Sequence, residues 1–95
     1  MIHDLKFTKI ERRDVGGTWV CGEVDGHKFQ ALVFPEHADS EEYELAGSKI
    51  SKLWIQHNGR EVFNWDRGMD VEAKTPEAQN VVEFLCAGLS EHVYA

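Results

Sequence analysis

The chain has 95 residues, 42% apolar and 28% charged, a composition typical of a folded globular protein and not of a disordered one. Seventeen acidic and ten basic residues give a formal net charge of −7, which opposes binding to nucleic-acid phosphates. No apolar run approaches the ~20 residues that span a bilayer, and the start of the chain lacks the pattern of a signal peptide. We therefore expect one cytoplasmic domain over residues 1–95, with its core at 15–89.

The first clear element is a β-hairpin over residues 18–34. Its turn is Asp25-Gly26, which suits a type I′ turn because both central residues need a positive φ. Residues 1–13 are a weaker candidate strand, since their apolar residues alternate imperfectly. A two-residue loop fixes the register. The predicted pairs are Val24 with His27, Glu23 with Lys28, Gly22 with Phe29, Val20 with Ala31 and Trp19 with Leu32.

A second hairpin is predicted over residues 49–65 around Asn58-Gly59, by the same turn chemistry. The loop between the hairpins, residues 35–48, carries five acidic residues and is expected to hold a short helical or extended piece at 43–45. The predicted pairs of the second hairpin are Ile55 with Val62, Gln56 with Glu61 and Trp54 with Phe63.

A helix is predicted to begin at Thr75-Pro76-Glu77, where Thr75 caps the first turn and Pro76 fits the first helical position. Its apolar stripe recurs at helical spacing and defines one buried face. Gly88 is the predicted C-terminal cap, and residues 90–95 are expected to fray. The stripe consists of Ala78, Val81, Val82, Leu85 and Leu89. The fold class is therefore α+β: a four-stranded antiparallel sheet, with residues 1–13 as a candidate fifth strand, and one C-terminal helix packed on a face.

Both faces of the predicted sheet are apolar, although a sheet covered on one side normally has polar residues on the other. In the second hairpin the predicted register places Trp54, Phe63 and Trp65 together on one face. Exposing them would leave several hundred Å² of apolar surface in water, near the upper end for monomers. Residues 1–13, residues 35–48, a second copy of the chain or another partner are the candidate covers.

The candidate polar site is Asp66-Arg67-Gly68-Met69-Asp70, which follows the aromatic strand. Asp66 and Asp70 lack the ligand pattern and length of a calcium-binding loop, so a structural turn paired through Arg67 is the expected alternative. Five histidines and two cysteines form no recognisable metal signature, and no metal or cofactor is predicted. His27 and His57 flank similar turns, so they could approach one another, but the expected role of these histidines is that of surface turn residues. Cys21 and Cys86 are expected to be buried thiols.

Three segments carry a resemblance to a known family. They are Ser48-Lys49-Ile50-Ser51-Lys52-Leu53-Trp54-Ile55, then Asn64-Trp65-Asp66-Arg67-Gly68-Met69-Asp70, and then the helix that opens at Thr75-Pro76-Glu77. Over residues 19–87 the chain resembles a family of short, uncharacterised bacterial and phage-associated proteins, a domain of unknown function. The resemblance implies one compact domain and supplies no activity or catalytic residues.

These observations support three functional hypotheses. The leading one is a small non-enzymatic binding or interaction protein, with a homodimer through the aromatic face as one form of it. Its binding residues would be Trp54, Phe63, Trp65, Asp66, Arg67 and Asp70. The alternative is a small-ligand or enzymatic domain with a pocket near Asp66, Arg67 and Asp70. The third is an acidic protein whose loop at 36–44 occupies a basic, nucleic-acid-binding partner.

Overall fold

The computed structural model describes residues 4–94, and it is an antiparallel sheet with one long helix on a single face. The sheet has six strands, not the four or five predicted, and they follow one another in sequence order. The predictions for residues 1–3 and Ala95 lie outside the described residues. The strands are β1 (Leu5–Arg12), β2 (Thr18–Val24), β3 (His27–Val33), β4 (Ile50–His57), β5 (Arg60–Asp66) and β6 (Met69–Val71), and the helix is α1 (Pro76–Tyr94).

The first hairpin has the predicted register, and every predicted pair between β2 and β3 is confirmed. Asp25 and Gly26 both have positive φ, at 50° and 75°, as a type I′ turn requires. An added Cβ at Gly22 would collide with the carbonyl oxygen of Lys6 and would also stand 2.9 Å from the Phe29 ring. The bare backbone at Gly22 is therefore needed for the ring to pack.

The N-terminal segment forms β1, an edge strand paired with β2. Thr8 is an extra residue in this pairing, between Phe7, which pairs with Gly22, and Lys9, which pairs with Cys21. A one-residue bulge shifts the alternation, so Leu5, Phe7 and Ile10 fall on the same face. The bulge explains the imperfect pattern in the sequence. It also means that this segment extends the sheet and does not cover it.

The predicted register of the second hairpin is wrong beyond the residues next to the turn. Gln56 does pair with Glu61, but Ile55 then pairs with Phe63, because Val62 is an extra residue in β5. A shift of one residue reverses every later side chain. Phe63 and Trp65 therefore point into the core, where they are 2% and 8% exposed, while Trp54 lies on the opposite face.

The core lies between α1 and one face of the sheet, here called the inner face. The predicted cap is confirmed: the Ala78 amide donates to Thr75 Oγ1 at 3.1 Å. The predicted end at Gly88 is wrong, because α1 continues to Tyr94 and its last turn is anchored to the sheet. The inner-face core contains Val20, Val24, Phe29, Ala31, Val33, Ile50, Leu53, Ile55, Phe63 and Trp65 from the sheet and Ala78, Val81, Leu85 and Leu89 from α1.

The loop between β3 and β4 contains two short 3-10 helices, Glu41–Tyr43 and Leu45–Gly47. Leu45 is buried and joins the inner-face core, so this loop closes one end of the core. The outer face of the sheet carries polar residues among its apolar ones, including Gln30, Lys52 and Asn64. It is therefore less apolar than the predicted register implied.

Candidate functional site

The connections of the sheet determine where a site can form. In a sheet whose strands follow sequence order, alternate connections lie at the same end. The β1–β2, β3–β4 and β5–β6 connections share one end, and α1 runs back toward it after β6. These segments surround a groove of about 860 Å³, here called the end groove. Its lining comes from Arg12 and Arg13, residues 16–18, Leu32, residues 34–39, Tyr43 and Glu44, Lys49, Ser51 and Lys52, Arg67 and Tyr94.

Basic side chains are concentrated in the end groove. Five of the ten basic residues of the chain line it together with three acidic ones, whereas the other five basic residues share the rest of the surface with fourteen acidic ones. The groove therefore carries a formal charge of +2 within a protein of net charge −7. The basic residues are Arg12, Arg13, Lys49, Lys52 and Arg67, and the acidic ones are Glu36, Asp39 and Glu44.

Most of these cations lack an acidic partner among the described residues. Lys52 Nζ lies 3.8 Å from Asp66 Oδ2, and it is the only basic residue of the groove with a carboxylate within 4.0 Å among residues 4–94. Arg12 and Arg67 instead lie over the rings of Tyr94 and Tyr43, at 5.3 and 5.5 Å from the ring centroids. Cation–π contact fixes a guanidinium while leaving its N–H groups available.

Two of the basic residues occupy a backbone conformation that disfavours them. Lys49 has φ of 67° and Arg67 has φ of 57°, in the left-handed region where a Cβ atom costs ~1–2 kcal/mol. Glycine would meet this requirement at lower cost. Strained residues that keep a functional side chain are typical of binding sites.

One acidic residue of the groove, Glu44, stabilises the loop between β3 and β4. Glu44 is only 7% exposed. Its Oε1 lies 2.8 Å from His37 Nδ1, and its Oε2 accepts a hydrogen bond from the Ala38 amide at 3.3 Å. The carboxylate thereby fixes residues 37–44 as one wall of the groove. The His37 ring is 62% exposed, and Glu44 orients it.

The predicted polar site is only partly assembled. Arg67 lies in the end groove, in the tight turn between β5 and β6. Asp66 is exposed and pairs with Lys52, and Asp70 is exposed on β6. No ion pair joins Arg67 to either aspartate among the described residues. The expected pairing of Arg67 with an aspartate is therefore wrong, because the arginine instead contacts Tyr43.

The predicted aromatic group is divided between the two faces. Phe63 and Trp65 belong to the core, whereas Trp54 lies on the outer face. A hollow of about 150 Å³ there is bordered by Trp19 and Trp54, with Gln30 between them and Lys52 and Asn64 beside it. The aromatic face predicted from the sequence therefore does not exist as one surface.

His27 and His57 do come into contact, and His27 is a buried residue and not the surface turn residue expected from the sequence. The rings of His27 and His57 stack with centroids 4.0 Å apart and an interplanar angle of 11°. Their Nδ1 atoms lie 2.8 Å from the Asp25 carbonyl and 3.0 Å from the Gly26 carbonyl. The pair joins the two hairpin turns at the end of the sheet opposite the groove, where its contacts are structural.

The remaining candidate features are the two cysteines, groups of metal-ligating side chains and membrane-spanning helices. Cys21 and Cys86 are both free and half-buried, on opposite sides of the sheet. Within residues 4–94, no group of three or more histidine, cysteine or acidic side chains is placed to hold a metal ion. The same range contains no helix long and apolar enough to cross a membrane.

Sequence reasoning missed the end groove because its residues are scattered over residues 12–94. A signal was present: the basic residues at 12, 13, 49, 52 and 67 all lie next to connections that a sequential sheet brings to one end. This signal can be interpreted only if β1 and β6 are recognised as strands.

Comparison with protein families gives a match over most of the chain. Residues 18–90 match the model of a domain of unknown function, DUF7678. The chain belongs to this family. The match agrees closely with the segment in which the sequence resembles an uncharacterised family, and it extends from β2 to the last turns of α1. Comparisons with curated proteins and with solved structures find no match.

Proposed function

We propose that this DUF7678 protein is a small binding module and that its ligand site is the end groove, which takes an anionic ligand. The observation that carries the proposal is the placement of five of the ten basic side chains around one groove in a protein of net charge −7. Arginine and lysine clusters of this kind recognise carboxylate and phosphate groups. The volume of about 860 Å³ lies within the range of small-ligand sites.

The proposal unites two predictions from the sequence. A non-enzymatic binding protein is the leading hypothesis from the sequence, and a ligand pocket near Asp66, Arg67 and Asp70 is the alternative. Arg67 supports both, since it lines the groove and its guanidinium has no carboxylate within 4.0 Å among the described residues. Asp66 contributes by pairing with Lys52, and Asp70 has no part in the groove. A bacterial or phage-associated source and a cytoplasmic location stay predictions.

The test is a titration of the protein with inorganic phosphate at constant ionic strength, followed by the shifts of backbone amide signals in NMR spectra. Constant ionic strength is needed because added salt alone screens surface charges. We expect saturable shifts that are largest around the groove. Arg67→Gln should weaken binding, whereas Arg60→Gln should not, since Arg60 is an exposed arginine at the opposite end of the sheet. Equal, non-saturating shifts in all three proteins would refute an anion site.

A second candidate function is self-association through the outer face of the sheet. Trp19 and Trp54 favour it, because they are half-buried and border a hollow on the face opposite α1. Phe63 and Trp65 contribute nothing to this surface, so the interface would be smaller than the predicted aromatic face. Light scattering should then give a dimer mass that Trp54→Lys reduces to that of a monomer. A monomer mass for the unaltered protein excludes this candidate.

A further inference from the structure

The two arginines that lie over tyrosine rings differ from the other cations of the end groove. Arg12 extends from the last position of β1 onto the ring of Tyr94. The ring is itself fixed, because its hydroxyl donates to the Val33 carbonyl and is hydrogen-bonded to Thr18 Oγ1. Arg12 therefore stands on a platform anchored in both β2 and β3.

Arg67 approaches the groove from near the edge of the sheet opposite β1. It lies in the β5–β6 turn and packs over Tyr43 from the first 3-10 helix. The wall that carries Tyr43 is tied by the contacts of Glu44 with His37 and Ala38. Both guanidiniums are thus held by an aromatic ring that belongs to a separately anchored segment.

Stacking on a ring leaves a guanidinium free for bidentate recognition. The ring contacts the flat face of the group, and the five N–H donors lie in its plane. Neither Arg12 nor Arg67 has a carboxylate within 4.0 Å among the described residues, so these donors have no internal anion. Each arginine can therefore bind one carboxylate or phosphate group of a ligand through two parallel hydrogen bonds.

The two arginines come from positions far apart in the sheet. β1 and β5 are separated by three other strands, which at ~4.8 Å per strand sets roughly 19 Å between their backbones. Side chains that reach inward from both edges can hold two anionic groups at the two ends of one ligand. A single small anion fits one arginine better than both.

We infer that the ligand of the end groove carries two separated anionic groups, one bound by Arg12 and the other by Arg67. This inference rests on the proposed function and specifies the ligand class. Lys49, Lys52 and Arg13 lie along the groove and add long-range attraction for such a dianion.

The experiment compares three carboxylates at constant ionic strength. Suberate carries two carboxylates on an eight-carbon chain, malonate carries two on a three-carbon chain, and octanoate carries one on an eight-carbon chain. The second charge and the spacing are thereby varied one at a time. Because the second carboxylate of suberate adds charge-assisted hydrogen bonds that neither control can make, suberate should bind about tenfold more tightly than either control. Once one carboxylate of suberate is bound, the second binds in an intramolecular step, which also raises the affinity for suberate.

Variants identify the two groups. Arg12→Gln and Arg67→Gln should each abolish the higher affinity for suberate over octanoate. The double variant should show no further change in the ratio of the two affinities. Arg60→Gln should keep the full advantage. If Arg12 has only a structural role, Arg12→Gln should lower stability and leave the ratio of the suberate and octanoate affinities unchanged. Urea unfolding is therefore measured for every variant.

The outcomes separate this inference from the proposed function. If phosphate binds but suberate gains nothing over octanoate, the groove takes a single anionic group and the inference is overturned while the binding function stands. If the advantage of suberate survives in both single variants, the two arginines are not its binding groups. If neither phosphate nor any carboxylate binds, the proposed function fails as well.

Discussion

The hydroxyl of Tyr94 donates a hydrogen bond to the carbonyl oxygen of Val33 at a distance of 3.0 Å. The residue thus joins the last turn of α1 to β3, while its ring supports Arg12. Ser90 makes a similar link one turn earlier, since its hydroxyl donates to the Phe34 carbonyl at 3.0 Å. These bonds explain why a segment predicted to fray is helical as far as Tyr94.

Replacing Tyr94 by Phe should destabilise the fold. The change leaves Thr18, which is 1% exposed, without the partner that lies 2.8 Å from its Oγ1. Loss of a partner for a buried polar group costs about 1–3 kcal/mol, which urea unfolding monitored by circular dichroism would detect. Tyr43→Phe is the matched control, because Tyr43 is 46% exposed and should change stability little. Equal effects of the two changes would argue against the Tyr94 anchor.

The bulge at Val62 makes Phe63 a core residue and leaves Trp54 on the outer face. Phe63→Ala should therefore lower the free energy of unfolding by about 3–5 kcal/mol, the usual cost of truncating a buried aromatic side chain. Trp54→Ala should cost clearly less, since the indole is half-buried. Thermal and urea unfolding of the two variants would measure the difference. The register without a bulge predicts similar losses for both.

Lys49 tests whether a residue with a strained backbone contributes its side chain to ligand binding. Lys49→Gly relieves ~1–2 kcal/mol of left-handed strain against ~0.5–1 kcal/mol of added freedom in the unfolded chain, so stability should rise by roughly 0–1.5 kcal/mol. Phosphate affinity should fall, because the side chain lines the groove. Lys28→Gly is the control in a regular strand and should be destabilising. A Lys49→Gly variant that binds phosphate unchanged would show that the lysine has no part in the site.

Cys86 should make stability depend on pH in alkaline solution. Burial raises the pKa of its thiol above the ordinary value of 9.0, and the Glu83 carboxylate adds to this, while a hydrogen bond with Ser48 opposes it. The folded state therefore retains the proton more tightly than the unfolded chain. This stabilisation is complete below the unfolded value and is lost as pH rises through the raised folded value.

The measurement is the free energy of unfolding from about pH 7 to about pH 10 for the unaltered protein and for Cys86→Ala. The variant should be less stable at neutral pH, because it leaves a small cavity, but its decline above pH 9.0 should be shallower. Parallel curves for the two proteins would remove Cys86 as the source of the pH dependence.

Local chemistry decided the elements that the sequence predicts correctly. Asp25-Gly26 and Asn58-Gly59 satisfy positive φ at adjacent positions, and Thr75 offers its oxygen to the first turn of α1. Each signal depends on residues within a few positions of one another, so no tertiary contact is needed to interpret it. The resemblance to an uncharacterised family rested on the same region that matches DUF7678.

Tertiary structure decided the faces and the site. The extra residues Thr8 and Val62 leave no distinctive local pattern, yet each reverses the side chains that follow, because strand alternation has a period of two. The length of α1 depends on hydrogen bonds from Ser90 and Tyr94 to strands more than fifty residues away. The sequence alone determined two hairpins, a capped helix and a net negative charge. Only the tertiary structure gathered Arg12 and Arg67 at one end of the sheet, since that requires six strands to pair in order.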